Sequence, residues 1–173
     1  EGLNVSVRAN TGFHVAKAYP EYLGSAEYMT LYNEALLNDD PTAKPLYTAE
    51  QIYNHGSGLN PYRYPNINYY SSDYVKKAYN RSEVTAEITG GGKRARFYSN
   101  VSYYRNGDFL DFGEAKNNMT DRFNVRGNVD VDINSFISAY INANATFYNS
   151  KSAKGDYWNA AATVRPNFPQ NAA

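Results

Sequence analysis

The residues of this chain that could do chemistry are concentrated in a few stretches. Glu83 and Glu87 share a parity in an alternating run. Four strand residues at about 3.3 Å each put them about 13 Å apart. Paired carboxylates that cleave glycosidic bonds sit about 5 to 9.5 Å apart, so these two read as solvated groups on a polar wall. Asp130 and Asp132 are closer, but they sit at a turn, where short acidic side chains commonly hydrogen-bond the local backbone. His14 and His55 lie in separate stretches with no second histidine at ligand spacing, and there is no cysteine, so no metal site is expected. Gly90 to Lys93 lacks both the spacing of a phosphate-binding loop and the Ser or Thr that follows its lysine; it reads as a hairpin turn. No enzymatic constellation emerges, and no cofactor is implied.

Binding chemistry is better represented. Aromatic rings stack on the CH faces of sugars, while Asn, Arg and Asp exchange hydrogen bonds with hydroxyls. On the alternating stretches the candidates are Arg96, Tyr98, Asn100, Arg122, Asn124 and Arg126. In the Tyr-Pro stretch between positions 61 and 70 they are Tyr62, Tyr64, Tyr69 and Tyr70. Pockets use only a few polar groups, so most of these residues are expected to hydrate or brace their surroundings.

The elements that must position them follow from periodicity. From Arg122 to Asp132, Phe123, Val125, Gly127, Val129 and Val131 alternate with Arg, Asn and Asp. From position 136 to 148, Ile137, Ala139, Ile141, Ala143, Ala145 and Phe147 alternate with Ser, Tyr, Asn and Thr. A period of two is the signature of a strand with one apolar and one polar face. Three further strands show the same one-sided pattern, near 3–13, 82–90 and 94–105. The first is about 11 residues long, enough to cross a bilayer when tilted.

Between the first two strands, residues 14–81 form a long connection of a length that is usually functional. Within it a helical period appears at Tyr28, Leu31, Tyr32, Ala35 and Leu36, with Ser25 placed to cap it. Thr48 and Gln51 make a capping box for a second helix over 49–54, with Gly56 suited to its left-handed end. Residues 72–79 suggest a further helical turn or two. A medium loop over 106–118 follows the third strand, and the tail 150–173 reads as loop.

With 173 residues, 18 Tyr, 8 Phe, 1 Trp and a formal net charge of zero, the composition is β-rich and tyrosine-rich, and it offers no bulk charge for nucleic acid. Mean hydropathy is -0.67 and no apolar run is long enough for a transmembrane helix. A membrane β-barrel is compatible, because its strands are apolar on one side only. Every short turn falls at one end of the strands and every long connection at the other, as in outer-membrane barrels with long extracellular loops. A secreted β-sandwich that binds carbohydrate is the alternative from another class. Phe13, Phe147 and Tyr103 stand where an aromatic girdle belongs. Five strands cannot close a barrel, so further strands are expected beyond Ala173 or on another chain. The opening Glu1-Gly2-Leu3, without initiating Met or signal peptide, reads as a piece of something longer or a processed product.

Several motifs carry a resemblance in their order and spacing. They are Asn4-Val5-Ser6-Val7-Arg8, the run from Ser25 to Ala35, Tyr64-Pro65-Asn66, Ile88-Thr89-Gly90-Gly91, the run from Phe97 to Tyr103, and the run from Arg122 to Asp130. Across essentially its whole length the chain resembles the SusC/RagA family of TonB-dependent outer-membrane transporters, over the segment just after the plug. The resemblance implies a fold class: an all-β, antiparallel transmembrane β-barrel segment, about five strands of a barrel of about 22, with a long, partly helical extracellular loop. It also implies an N-terminal plug, energy supplied through TonB, and a SusD-like surface lipoprotein that presents oligosaccharides or, in some members, peptides. SusC-SusD pairs that dimerise and an outer membrane of Gram-negative type come with it. The TonB-contacting segment, the plug and most strands are absent here, so this stretch alone is not a working transporter.

Overall fold

The structure, a computed structural model, describes residues 2–168. Five strands form one antiparallel sheet in chain order: β1 (Asn4–Val15), β2 (Ala78–Gly91), β3 (Ala95–Asn106), β4 (Met119–Asp132) and β5 (Ser138–Lys151). Three helices accompany them: α1 (Ser25–Asp39), α2 (Ala49–Ser57) and α3 (Tyr157–Thr163). A short 3-10 turn spans Gly113–Asn117. No described helix is long and apolar enough to cross a membrane. The chain divides into two compact units. One comprises the strands and the 107–118 connection; the other comprises residues 17–75 together with the segment that starts at Gly155.

In the sheet unit, register aligns the alternating patterns of all five strands. Val7, Ala86, Val101, Val125 and Ala145 are directly opposite one another in sequence across the sheet. Ala9, Val84, Tyr103, Phe123 and Phe147 form the next row towards the long connections, with the Phe123 and Phe147 rings 6.3 Å apart. Tyr103 and Phe147 therefore share a row, while Phe13 lies four residues further along β1. Beyond the aromatic row the same face turns polar: Arg105 lies 3.6 Å from Asp121, whose carboxylate also accepts from Tyr103 Oη at 2.8 Å. On β4 the apolar positions run from Val131 to Phe123, about 27 Å along the strand. No second sheet covers this face among the described residues, and Val7, Ile141 and Phe147 are each about two-thirds exposed.

The two short turns have local causes. Gly91 has φ +146, and a Cβ there would run into the Ala95 carbonyl, so the β2–β3 turn requires glycine. Beside it, the Phe97 ring lies across Gly90, where a Cβ would come within 2.9 Å of two ring carbons; the aromatic covers the gap that glycine leaves in the strand. At the β4–β5 turn, Asn134 Oδ1 accepts from the backbone N–H of Phe136 and Ile137, both at 2.9 Å.

The helical unit departs from the sequence reading at several points. The α1 N-cap is Gly24, not Ser25. Ser25 is wholly buried, its Oγ donating to the Pro65 carbonyl at 2.9 Å and its N–H to Asn66 Oδ1 at 2.8 Å. Met29 is the buried centre of α1, whereas Leu31 of the expected apolar face is half exposed. The Thr48–Gln51 capping box forms, with α2 longer than expected. Gly58 at φ 68, rather than Gly56, takes the left-handed position; Gly56 stays inside α2, where a Cβ would come within 3.1 Å of the Ala26 methyl. Residues 71–75 make a hydrogen-bonded turn rather than a helix, and β2 begins at Ala78. The tail is not all loop: Asp156 Oδ1 accepts from Asn159 N at 3.1 Å and starts α3. Pro169 and the rest of that tail lie outside the described residues.

Candidate functional site

The strand candidates assemble into one patch because β3 and β4 pair without a bulge. Arg96 faces Asp130, Tyr98 faces Asn128, Asn100 faces Arg126, Ser102 faces Asn124 and Tyr104 faces Arg122, all on the polar side. Arg96, Tyr98, Asn100, Arg122, Asn124 and Arg126 thus form a continuous two-strand surface, extended by Glu87 of β2 and by Tyr140, Asn142, Asn144, Thr146 and Tyr148 of β5. Within the patch Thr146 Oγ1 donates to Asn124 Oδ1 at 2.8 Å, and the other hydrogen bonds are long. Glu87 Oε1 accepts from Tyr98 Oη and Asn100 Nδ2, each at 3.4 Å, and Asn128 Oδ1 accepts from Arg126 Nε at 3.4 Å. Side chains joined only by these long contacts keep donors and acceptors available.

The sequence reading passed over Tyr104, and it is central. The Arg81 and Arg122 guanidiniums lie 5.3 Å and 5.1 Å from its ring centroid, within cation–π range. Its parity with Tyr98 and Asn100 was the available signal. Glu83 is engaged by Arg81 at 3.8 Å and Arg96 by Asp132 at 3.6 Å; these are exposed pairs, each contributing at most about 1 kcal/mol.

In the helical unit, the four loop tyrosines do not form one site. Tyr69 and Tyr70 line a cavity of about 470 Å³, together with Tyr22, Tyr28, Thr163 and Arg165. Tyr62 is almost fully exposed, and Tyr64 lies edge-on to His55, beneath Arg63, in a separate shallow depression. Two of the lining rings, Tyr22 and Tyr70, lie parallel at 5.7 Å, and Tyr70 in turn stacks on Trp158 at 6.1 Å with the rings inclined by 27°. The tail closes this cavity. Ile67 N donates to the Pro166 carbonyl at 3.0 Å, and the Tyr157 hydroxyl donates to the Tyr69 carbonyl. Burial pushes the Tyr157 phenol well above the ordinary tyrosine range, with the Tyr74, Tyr69 and Tyr70 phenols adding to the effect. Burial also raises Tyr69, Tyr70 and Tyr74. Tyr22, Trp158 and Arg165 escaped the sequence reading because they join Tyr70 from both sides of the chain.

The histidines have local partners. His14 stacks on Tyr79 at 4.7 Å, and His55 Nδ1 lies 2.7 Å from the Pro65 carbonyl. No group of three or more potential metal ligands gathers among the described residues. The chain matches no protein-family model, no curated protein and no solved structure.

Proposed function

We propose that this chain is part of a TonB-dependent outer-membrane transporter of the SusC/RagA type, importing oligosaccharides with a SusD-like lipoprotein. In this reading the five strands are a sector of a larger barrel. The polar face lines the passage, the apolar face meets lipid, and the plug, the TonB contact and the remaining strands lie elsewhere.

The supporting observation is the pairing of an uncovered apolar face with a hydrogen-bonding face across every strand. From about 4.8 Å between strands and about 3.4 Å per residue, the apolar field between β1 and β5 spans on the order of 500 Å². That is at the upper end of the patches soluble monomers expose, and such patches mark interaction surfaces. At the roughly 40° tilt of barrel strands, the 27 Å apolar run on β4 projects to about 21 Å, close to the 25 Å band of outer-membrane barrels. The unpaired outer edges of β1 and β5 are where neighbouring strands would dock. A β-sandwich needs a second layer on the Val129 and Ile141 side, and both residues are open there. Oligosaccharides suit the polar face because it combines Tyr rings with Asn, Arg and Ser donors along its whole length.

Cysteine accessibility tests the reading directly. These 173 residues contain no cysteine, so with any cysteine elsewhere in the full protein replaced, single substitutions at positions 124 to 129 report one site each in membranes. Asn124→Cys, Arg126→Cys and Asn128→Cys are expected to react with a water-soluble maleimide, while Val125→Cys, Gly127→Cys and Val129→Cys stay protected. Uniform reactivity overturns the lipid-facing assignment.

A further inference from the structure

We propose that the depression formed by Ser102, Arg122, Asn124 and Thr146 is a subsite for an oxyanion, so that the imported oligosaccharide is an acidic one. The inference rests on the transporter reading and deepens it by naming the substrate's charge. The depression is about 250 Å³, room for a carboxylate or sulfate group with part of its sugar ring.

Its lining is one-signed. Ser102, Asn124 and Thr146 are directly opposite one another on β3, β4 and β5, and Arg122 precedes Asn124 by two residues on the same face. Thr146 Oγ1 donates to Asn124 Oδ1 at 2.8 Å, which commits the amide oxygen to the sheet and leaves the amide N–H groups for a ligand. The Ser102 hydroxyl and the Arg122 guanidinium add further donors, and no carboxylate lines the depression.

Arg122 is held by a ring rather than by a carboxylate. Arg81, Arg96 and Arg105 each lie within 4 Å of a carboxylate, at 3.8, 3.6 and 3.6 Å. Arg122, like Arg126, has no such ion pair among the described residues; Arg126 turns to Asn128 Oδ1, whereas Arg122 lies over the Tyr104 ring, which positions it. A ring fixes the guanidinium without neutralising it. Its planar fork therefore remains available for bidentate binding of a carboxylate or sulfate. A carboxylate of the barrel's own plug is a competing occupant, and the test separates it from a substrate.

Titration calorimetry on the full protein in detergent provides that test, with three probes: tetragalacturonate, its fully methyl-esterified form, and a sulfated oligosaccharide of equal length. An exposed ion pair changes affinity by up to about fivefold, and a hydrogen bond to a charged group by about tenfold or more. Arg122→Gln is therefore expected to weaken an acidic probe about five- to tenfold and to leave the neutral ester unchanged. Arg122→Lys should restore part of the loss. Arg122-dependent binding of either acidic probe supports the subsite and identifies the oxyanion it takes. Equal affinity of wild type and Arg122→Gln for both acidic probes overturns it, as does occupation by an internal carboxylate that leaves both probes unbound. Either result, obtained with the alternating cysteine pattern intact, rejects the subsite alone; uniform cysteine labelling rejects the transporter reading on which it rests.

Discussion

Replacing Val129 and its neighbour Asn128 by arginine separates a membrane-facing sheet from a water-exposed one. Val129 lies between Phe97 and Ile141 on the apolar face, two residues from Gly127, the middle of the five apolar positions between Val131 and Phe123. Two residues correspond to about 6.8 Å along the strand, or about 5 Å along the membrane normal at a tilt of about 40°. Val129 thus stands nearer the midplane than the edge of a band about 25 Å tall. An arginine costs about 2–4 kcal/mol at the midplane of such a band and about 0–1 at its rim. For Val129→Arg we expect about 2 kcal/mol, a roughly thirtyfold fall in the folded-to-unfolded ratio. Asn128 faces the other way, opposite Tyr98 and Asn142, where Asn128→Arg should stay within about 0.5 kcal/mol. Equilibrium unfolding of the full protein in lipid vesicles measures both. If the two variants unfold alike, the apolar face does not meet lipid and the reasoning fails.

The other predictions concern the helical unit. Met29→Ala removes its most buried large side chain and should cost about 2–5 kcal/mol, read as faster hydrogen exchange in α1 and α2 with the β3–β4 amides unchanged; equal loss in both units would contradict it. In alkali, Tyr157, Tyr69, Tyr70 and Tyr74 hold their protons more tightly when folded than when unfolded. Their stabilisation is complete below the unfolded value of about 10 and is lost as pH rises through the raised folded values. Tyrosinate absorbance should therefore show a late fraction that appears together with loss of near-ultraviolet dichroism, and Tyr157→Phe should remove part of it. A single early step for all 18 tyrosines would refute the burial.

The sheet was legible because a strand writes its two faces into alternate residues, and each of the five stretches obeyed that alternation. Its ends were less so. β1 and β2 continue to Val15 and back to Ala78, where pairs such as His14 with Tyr79 keep the ladder without an apolar–polar rhythm. The wall patch followed from parity alone, since residues of one parity in paired strands must share a face. The cavity did not. Tyr62, Tyr64, Tyr69 and Tyr70 look equivalent in sequence, and contacts with Tyr157 and Trp158, about ninety residues away, separate the last two from the first two. α3 was hidden for a related reason: seven residues are too few to display a helical period.

The docking of the tail on the long connection has a bearing on biogenesis. Residues 17–75 and the segment from Gly155 join only after some eighty intervening residues have emerged, a closure that costs on the order of 4 kcal/mol in chain entropy. The clasp of Tyr157 on Tyr69 and Trp158 on Tyr70 is thus a late event, available only to a nascent chain whose four later strands have already been delivered. A polypeptide halted before Gly155 would expose half of an aromatic seam.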